Sequence, residues 1–412
     1  MKIACIMPHS YEKYYLRELV SMNSCDDLDI QILSKVDSCE HKICRSLKMA
    51  GMEPTLYYMS SISKRVSQFR HKYGHLMKKI PVSFKIGNYG LYGSEFSKKL
   101  FNELSADLND LVLIYTYTLG NVIPVDMYDL LAFNLNRKKI PFIARHGGGS
   151  AKPVFRGITV LYKKWIKQKT LNMACLIIVP SSSEASTLNK ELGINPEKIL
   201  VLKDPLDFEN ICEYSKEKAA VNLNRDAGKK YILYVGRISE PKGIRHIINC
   251  MPDLLKENKD VILLIVGTGP EEKELKKLTD DMDLSDKVSF EGFVFHDKLG
   301  DYYNLADVLV LPSYSEGTPN VIQEAVAFNV PCVSTSVGGI PDLLSEGVGI
   351  IIPPRNEYEL YKGVNRILTG DFSVNQKKRN KLLNEWNMEY YGERVKEALV
   401  NKGLYTESGI II

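Results

Sequence analysis

Short apolar runs alternate along the chain with stretches whose apolar positions return every three or four residues, the pattern of strands followed by amphipathic helices. In the first half the runs at residues 2–8, 29–35, 55–60, 111–117, 141–146, 175–181 and 199–203 read as strands. Helical periodicity falls around 10–20, 38–50, 94–106, 124–136, 156–172 and 183–192. Residues 61–93, with Gly74, Pro81, Gly87 and Gly90, read as a loop excursion. After a polar pause a second alternation begins, with strands at 231–235, 261–266, 288–293, 308–312, 331–335 and 349–353. Helices are expected after Gly243, at 271–279, at 297–304, from 320, after Pro341, at 357–368 and near 386–400. Such alternation predicts two parallel sheets covered by helices, a doubly wound α/β class. The expected division is a first domain over 1–207, a linker over 208–228, a second domain over 229–385, and a terminal helix and tail over 386–412 packing back on the first domain.

Composition narrows the class without naming a function. The 412 residues, 44% hydrophobic and 25% charged, suit a soluble chain of two or three domains, and no apolar run reaches the ~18 residues of a spanning helix. The opening Met1 to Pro8 reads as a strand rather than a secretory signal, so a cytoplasmic location is expected. Eight cysteines without a Cys-x-x-Cys spacing point to free thiols. The net charge of +4 conceals an asymmetry: residues 1–200 carry 28 Lys+Arg against 17 Asp+Glu, and residues 201–412 carry 26 against 33. Two acid-free windows, 54–94 and 151–183, supply most of the excess. The second mixes Lys163, Lys164, Lys167 and Lys169 with Trp165 and Ile166, which suits a helix on the inner face of an anionic membrane as well as a plain solvated helix. No nucleic-acid motif accompanies the charge.

Candidate chemistry gathers in the second half. Glu316-Gly317-Thr318-Pro319-Asn320-Val321-Ile322-Gln323-Glu324 joins a strand to a helix start, with proline suited to the first helical turn and two acids bracketing the stretch. Amides at such a start attract anions, and open α/β sheets bind ligands at that edge. Gly236-Arg237 through Lys242-Gly243 places two cations after an earlier strand, where a diphosphate could sit. Gly267-Thr268-Gly269-Pro270 allows close backbone approach but lacks the dinucleotide fingerprint.

In order and spacing these segments, with Phe290-Glu291-Gly292-Phe293, Pro312-Ser313 leading into Glu316-Gly317, and Gly338-Gly339-Ile340-Pro341-Asp342, resemble the C-terminal domain of the family-four retaining glycosyltransferases (glycosyl transferases group 1), which carry an E-x7-E motif. The resemblance covers residues 231 to about 355. It implies the GT-B fold, two Rossmann-like domains facing across a cleft, and metal-independent transfer of a sugar from a nucleotide diphosphate donor, most readily a UDP-sugar, to a hydroxyl of a glycan or lipid-linked acceptor. It also implies roles. Arg237 and Lys242 would neutralise the leaving diphosphate, Glu316 would meet the transferred sugar, and Glu324 would hold the ribose. Gly236, Gly267, Gly317, Thr318, Asn320 and Val321 would line the donor, with Phe293 and Val294 near the base. His146, in Arg145-His146-Gly147-Gly148-Gly149, resembles the family's first-domain histidine. Two features depart from the family pattern: Pro8-His9-Ser10-Tyr11 lacks the glycine pair after the first strand, and Lys203-Asp204-Pro205-Leu206-Asp207 keeps only the final aspartate of Pro-Asn-Gly-x-Asp. Asp27-x-Asp29 and Asp281-x-Asp283 lie outside positions suited to a metal, so neither a metal nor a cofactor is expected. A nucleotide-sugar epimerase of the same fold and a non-catalytic sugar-nucleotide-binding subunit stay open as alternatives.

Overall fold

The computed structural model describes residues 2–8, 33–36, 49, 53–59, 111–116, 127–146, 158–206, 208, 211–344 and 347–404. They divide into two compact α/β units, the first built from 1–180, 185–202 and 388–412, the second from 181–184 and 203–387.

The first unit contains β1 (Lys2–Pro8), β2 (Leu33–Val36), β3 (Glu53–Met59), β4 (Leu111–Thr116), α1 (Met127–Arg137), β5 (Phe142–His146), α2 (Ile158–Met173), β6 (Leu176–Val179), α3 (Ser182–Leu192, whose first turn groups with the second unit) and β7 (Ile199–Val201). Its described strands form one sheet in the order β2-β3-β1-β4-β5-β6-β7. All neighbours are parallel except β2 and β3, which run antiparallel, so the all-parallel expectation is corrected at one edge. An edge strand has one partner, and doubly wound sheets accept an antiparallel strand there. Every residue of β5 and β6 is buried, as continuous apolar strands covered on both faces require.

The basic window behaves differently from a uniformly solvated face. Lys167 of α2 is 3% exposed and donates to Asp129 of α1 at 3.0 Å, where Thr170 also donates at 2.9 Å. Lys164 lies 3.3 Å from Glu191. Burial of a lysine demands a carboxylate, so the α1–α2 packing turns one of the window's cations inward. Trp165 and Lys169 stay exposed, the ammonium 4.0 Å from the indole centroid. No described helix is long and apolar enough to cross a membrane.

The second unit opens with α4 (Lys216–Leu223), inside the segment expected as a linker. Ser215 caps it, Ala219 and Ala220 are buried, and left-handed Asn224 ends it. The polar composition that reads as a connection belongs to its outer face. There follow β8 (Lys230–Val235), α5 (Ile244–Glu257), β9 (Val261–Val266), α6 (Glu272–Asp281), β10 (Val288–Gly292), α7 (Leu299–Leu305), β11 (Val308–Leu311), α8 (Asn320–Ala327), β12 (Cys332–Thr335), α9 (Ile340–Leu343), β13 (Gly349–Ile352), α10 (Glu357–Leu368) and α11 (Gln376–Glu385). The final α12 (Met388–Asn401) groups with the first unit. Helix α11 was not expected, because its apolar residues are few and its burial rests on Leu382 and on Arg379.

The second sheet is parallel throughout, in the order β10-β9-β8-β11-β12-β13. Its core is the apolar face of α5 (Ile244, Ile247, Ile248, Met251, Leu254) packed with strands such as β9, buried at all six positions. The order reverses beside β8: the chain goes first to β9 on one side and later to β11 on the other. Loops leaving β8 and β11 therefore part at their carboxyl ends, the place where open α/β sheets leave a crevice.

Of the described cysteines, 175, 212, 250 and 332 are unpaired. Burial pushes the Cys175 thiol up to about 11 and Cys250 up to about 12, which keeps them protonated and inert. The buried pair in the first unit is testable by denaturation. Lys167→Ala takes the cation away from the buried Asp129 carboxylate, and urea unfolding should show a loss of about 3–5 kcal/mol; a loss under ~1 kcal/mol would mean the pair contributes no more than a surface pair.

Candidate functional site

The carboxyl edge of the second sheet gathers the sequence-predicted groups of that unit. After β8 the backbone turns at Gly236, and Gly236 N–H donates to the Val266 carbonyl at 3.0 Å. Ile238 N–H donates to Thr268 O at 3.0 Å, and Gly267 N–H to Gly292 O at 2.7 Å. The loops after β8, β9 and β10 are thus stitched into one layer. Gly267 (φ +134°) and Gly269 permit it: a Cβ on either would lie 1.9 Å from a carbonyl oxygen, of Gly236 or of Ile238.

Lys242 closes a short 3₁₀ turn (Glu240–Lys242) that ends at left-handed Gly243. Its ammonium donates to Glu316 Oε1 at 2.6 Å, and the Ser313 hydroxyl donates to the same oxygen at 2.6 Å. The Glu316 side chain is 8% exposed. The two loops are also joined by Tyr314 N–H donating to the Pro241 carbonyl at 2.8 Å. A Cβ at Gly243 would meet Pro312 O at 2.2 Å, so the turn comes as close to β11 as backbone allows. Arg237 is exposed, with its carbonyl accepting from the Tyr234 hydroxyl at 2.9 Å. Burial, with Glu316 and Glu271 adding to it, pushes the Tyr234 phenol far above its ordinary range, so it remains a donor.

Glu324 occupies the second turn of α8 and is 9% exposed. Tyr303 of α7 donates its hydroxyl to Glu324 Oε2 at 2.7 Å, and His296 Nε2 lies 3.3 Å from Oε1. Burial, then the Glu324 charge, raises the Tyr303 phenol well above its usual value, which fixes it as the donor. Pro319 stands at the N-cap of α8, one position before the first-turn place expected, and Asn320 begins the helix. The proline's missing N–H costs nothing there, and the first amides of α8 lack intrahelical acceptors. Gly339 N–H donates to Gly317 O at 2.7 Å, and a Cβ at left-handed Gly338 would meet Glu316 O at 2.0 Å. Thr318 Oγ1 is buried in this turn with no hydrogen-bond partner.

Past β10, Phe293 and Phe295 are 53% and 56% exposed and meet edge to face, with centroids 5.2 Å apart. Val294 packs partly against the core between them. Exposed aromatics beside a backbone layer suit a flat ligand.

The structure therefore brings Gly236, Lys242, Gly267, Glu316, Gly317, Thr318, Asn320, Val321 and Glu324 to one sheet edge, with Arg237 beside them and Phe293 and Val294 at its β10 end. His146 belongs to the first unit, where it is buried as the last residue of β5 and its carbonyl accepts from Arg145 Nη1 at 2.7 Å. Residues 147–149, the turn at 9–11, Asp207 and Asp27-x-Asp29 lie outside the described residues. Asp281 and Asp283 precede β10 at the opposite edge of the second sheet. Among the described residues no group of three His, Cys, Asp or Glu is placed to hold a metal ion.

Sequence reasoning picked out Ser313 only as part of the family-like segment, with no role, and missed Tyr303 and His296; with Lys242 these groups hold the two carboxylates. The signal for Ser313 was a polar residue two places past the end of β11. Tyr303 sits inside an ordinary amphipathic helix and carried none.

Residues 215–385 match the family model described as glycosyl transferases group 1. A putative colanic acid biosynthesis glycosyltransferase, WcaL, of Salmonella typhimurium is 24% identical over 85% of each chain. For three further curated relatives the match spans 54–56% of their own length, so the chain spans about half of those proteins. Among solved structures, a sucrose-phosphate synthase from Thermosynechococcus elongatus superimposes with TM-score 0.67 at 18% identity, over 97% of this chain and 98% of that one. Anabaena HepE in complex with UDP-glucose does so with TM-score 0.60 at 16% identity, over 97% and 100%. At these identities the likeness shows the fold, which is GT-B, built from two Rossmann-like α/β domains.

Tyr303→Phe removes one of the hydrogen bonds to a nearly buried carboxylate. Chemical denaturation should register a loss of about 1–3 kcal/mol, and an unchanged midpoint would show that the phenol does not hold Glu324.

Proposed function

We propose that the protein is a retaining, metal-independent glycosyltransferase that moves a sugar from a nucleotide diphosphate donor, a UDP-sugar, to a hydroxyl of a glycan or lipid-linked acceptor. The observation that carries the reading is the arrangement at the switch point of the second sheet: two carboxylates held by neighbours, two cations, and a helix start, in one loop layer. The family-model match over residues 215–385 supports the same reading. So does the chain-wide fold shared with a protein solved with UDP-glucose.

In this reading Glu324, pointed by Tyr303, accepts from the ribose hydroxyls. Arg237, Lys242 and the amides of Gly317, Thr318, Asn320 and Val321 face the diphosphate, where fixed positive partial charge stabilises the leaving group. Glu316 accepts from hydroxyls of the transferred sugar, and Phe293 with Val294 lies along the base. The bond from the anomeric carbon to phosphate breaks as the bond to the acceptor oxygen forms on the same face. The acceptor proton passes to the departing phosphate oxygen, so no protein base is needed. We propose an acceptor of surface-polysaccharide or glycoconjugate type, met in the cytoplasm at the inner face of the membrane. The exposed Trp165 and Lys169 would be the first contact of α2 with anionic lipid.

Screening UDP-, GDP- and ADP-sugars by thermal shift identifies the donor, since a ligand bound to the folded state raises its melting temperature. A UDP-sugar should stabilise the protein. Glu324→Ala and Arg237→Ala should each weaken that donor roughly 10- to 100-fold, the worth of a lost charged hydrogen bond. NMR of the product should show the donor's anomeric configuration kept, and EDTA should leave the rate unchanged. Full transfer by the double variant would remove the site assignment. Release of an isomerised sugar nucleotide without acceptor would replace transfer by epimerisation.

A further inference from the structure

Beside the Lys242–Glu316 pair stands a second polar cluster for which the donor roles give no use. The Tyr314 hydroxyl lies 2.7 Å from His246 Nε2, and His246 Nδ1 lies 2.6 Å from Glu357 Oε1. Asn249 Nδ2 donates to that same oxygen at 2.8 Å. The imidazole, its side chain 18% exposed, is therefore held at both nitrogens. Its ring also meets the Tyr314 ring at a steep angle, centroids 5.5 Å apart. The guanidinium of Arg355 covers the tyrosine ring at 4.5 Å, from a residue whose φ is +59°. A left-handed backbone is uncommon for a non-glycine residue and persists where the surroundings hold it.

The members come from three places at the carboxyl edge of one sheet. Tyr314 is in the loop after β11, His246 in the first turn of α5, and Glu357 at the start of α10 after β13. None is in the apolar core. What the cluster fixes is Tyr314, and Tyr314 is joined to both halves of the adjacent ion pair. Its amide donates to Pro241, next to Lys242, and its chain neighbour Ser313 donates to Glu316. A shift of the Tyr314 ring would therefore be passed to the glutamate through one peptide unit.

We infer that Tyr314, His246 and Glu357 form a positioning relay that sets the pose of Glu316 toward the transferred sugar of the donor, an inference that rests on the function proposed above. The relay acts through Glu316 and touches no reacting atom. It is separate from the Tyr303–Glu324 contact, which belongs to the ribose end of the site. The two halves of the donor should consequently respond differently to its loss.

The test uses the full chain with UDP and with the UDP-sugar that turns over among UDP-glucose, UDP-galactose and UDP-N-acetylglucosamine. Tyr314→Phe keeps the ring and removes the hydroxyl, Glu357→Ala removes the far anchor, Glu357→Gln restores an acceptor, and His246→Gln serves if the alanine variant fails to fold. Calorimetric affinities and steady-state kinetics are measured for each, with melting temperature alongside. The relay predicts that Tyr314→Phe and Glu357→Ala lower kcat/KM for the UDP-sugar about ten- to hundredfold, leave UDP affinity within about twofold, and that Glu357→Gln recovers part of the loss. Wild-type kinetics in both variants would overturn the relay while leaving the proposed function intact. Equal losses for UDP and UDP-sugar, with a lowered melting temperature, would show only a brace for the fold and overturn it too. If the wild-type protein neither binds nor turns over a nucleotide sugar, the function fails and the relay fails with it.

Discussion

The ion pair between Lys242 and Glu316, closed by Ser313 on the same carboxylate oxygen, is the interaction on which the geometry of the second sheet's edge depends. It ties the loop after β8 to the loop after β11 across the point where strand order reverses. Two loops that diverge from neighbouring strands would otherwise be free to separate. Here a charged bond, a backbone bond from Tyr314 to Pro241 and the contact of Gly243 with Pro312 hold them in register. Because Glu316 is nearly buried, losing either partner would leave a carboxylate short of donors in a low-dielectric setting, which is costly.

Given that frame, the chemistry assigned to the site is mainly placement. Each carboxylate has donors that orient it: Lys242 and Ser313 for Glu316, Tyr303 for Glu324. Oriented acceptors and a helix start lower a barrier by meeting charge and hydroxyls without rearrangement, as preorganised sites do. The glycines serve the same placement, since Gly267 and Gly269 let the loop after β9 approach the loop after β8, and Gly338 lets the loop after β12 approach the loop after β11, to distances at which any side chain would strike a carbonyl.

Much of this was legible in the sequence, for identifiable reasons. Strand β9 and helix α5 announced themselves because their apolar residues follow the periods of a doubly covered strand and a one-sided helix. The glutamates and cations stood out because they flank strand ends at glycines. Helix α4 was hidden because its burial rests on two alanines, and α11 because Arg379, a nearly buried cation, does part of its packing through the Val326 and Ala327 carbonyls and Glu213. The antiparallel β2 depends on which edge the chain returns to, which local pattern does not encode. Lys167 looked like a surface cation because its partner, Asp129, is 38 residues away. Tyr303 and the Tyr314–His246–Glu357 chain were invisible for the same reason: their partners are distant in sequence and meet only after folding.

The proposed function requires the β8–β11 switch point of the second domain to hold a nucleotide-sugar donor. Hydrogen–deuterium exchange with and without a saturating UDP-sugar tests it most directly. Donor binding there should slow exchange at residues 236–243, 267–270 and 316–324, with the rest of the second sheet unchanged. Protection absent from these loops, or confined to the opposite edge around residues 281–287, would contradict it.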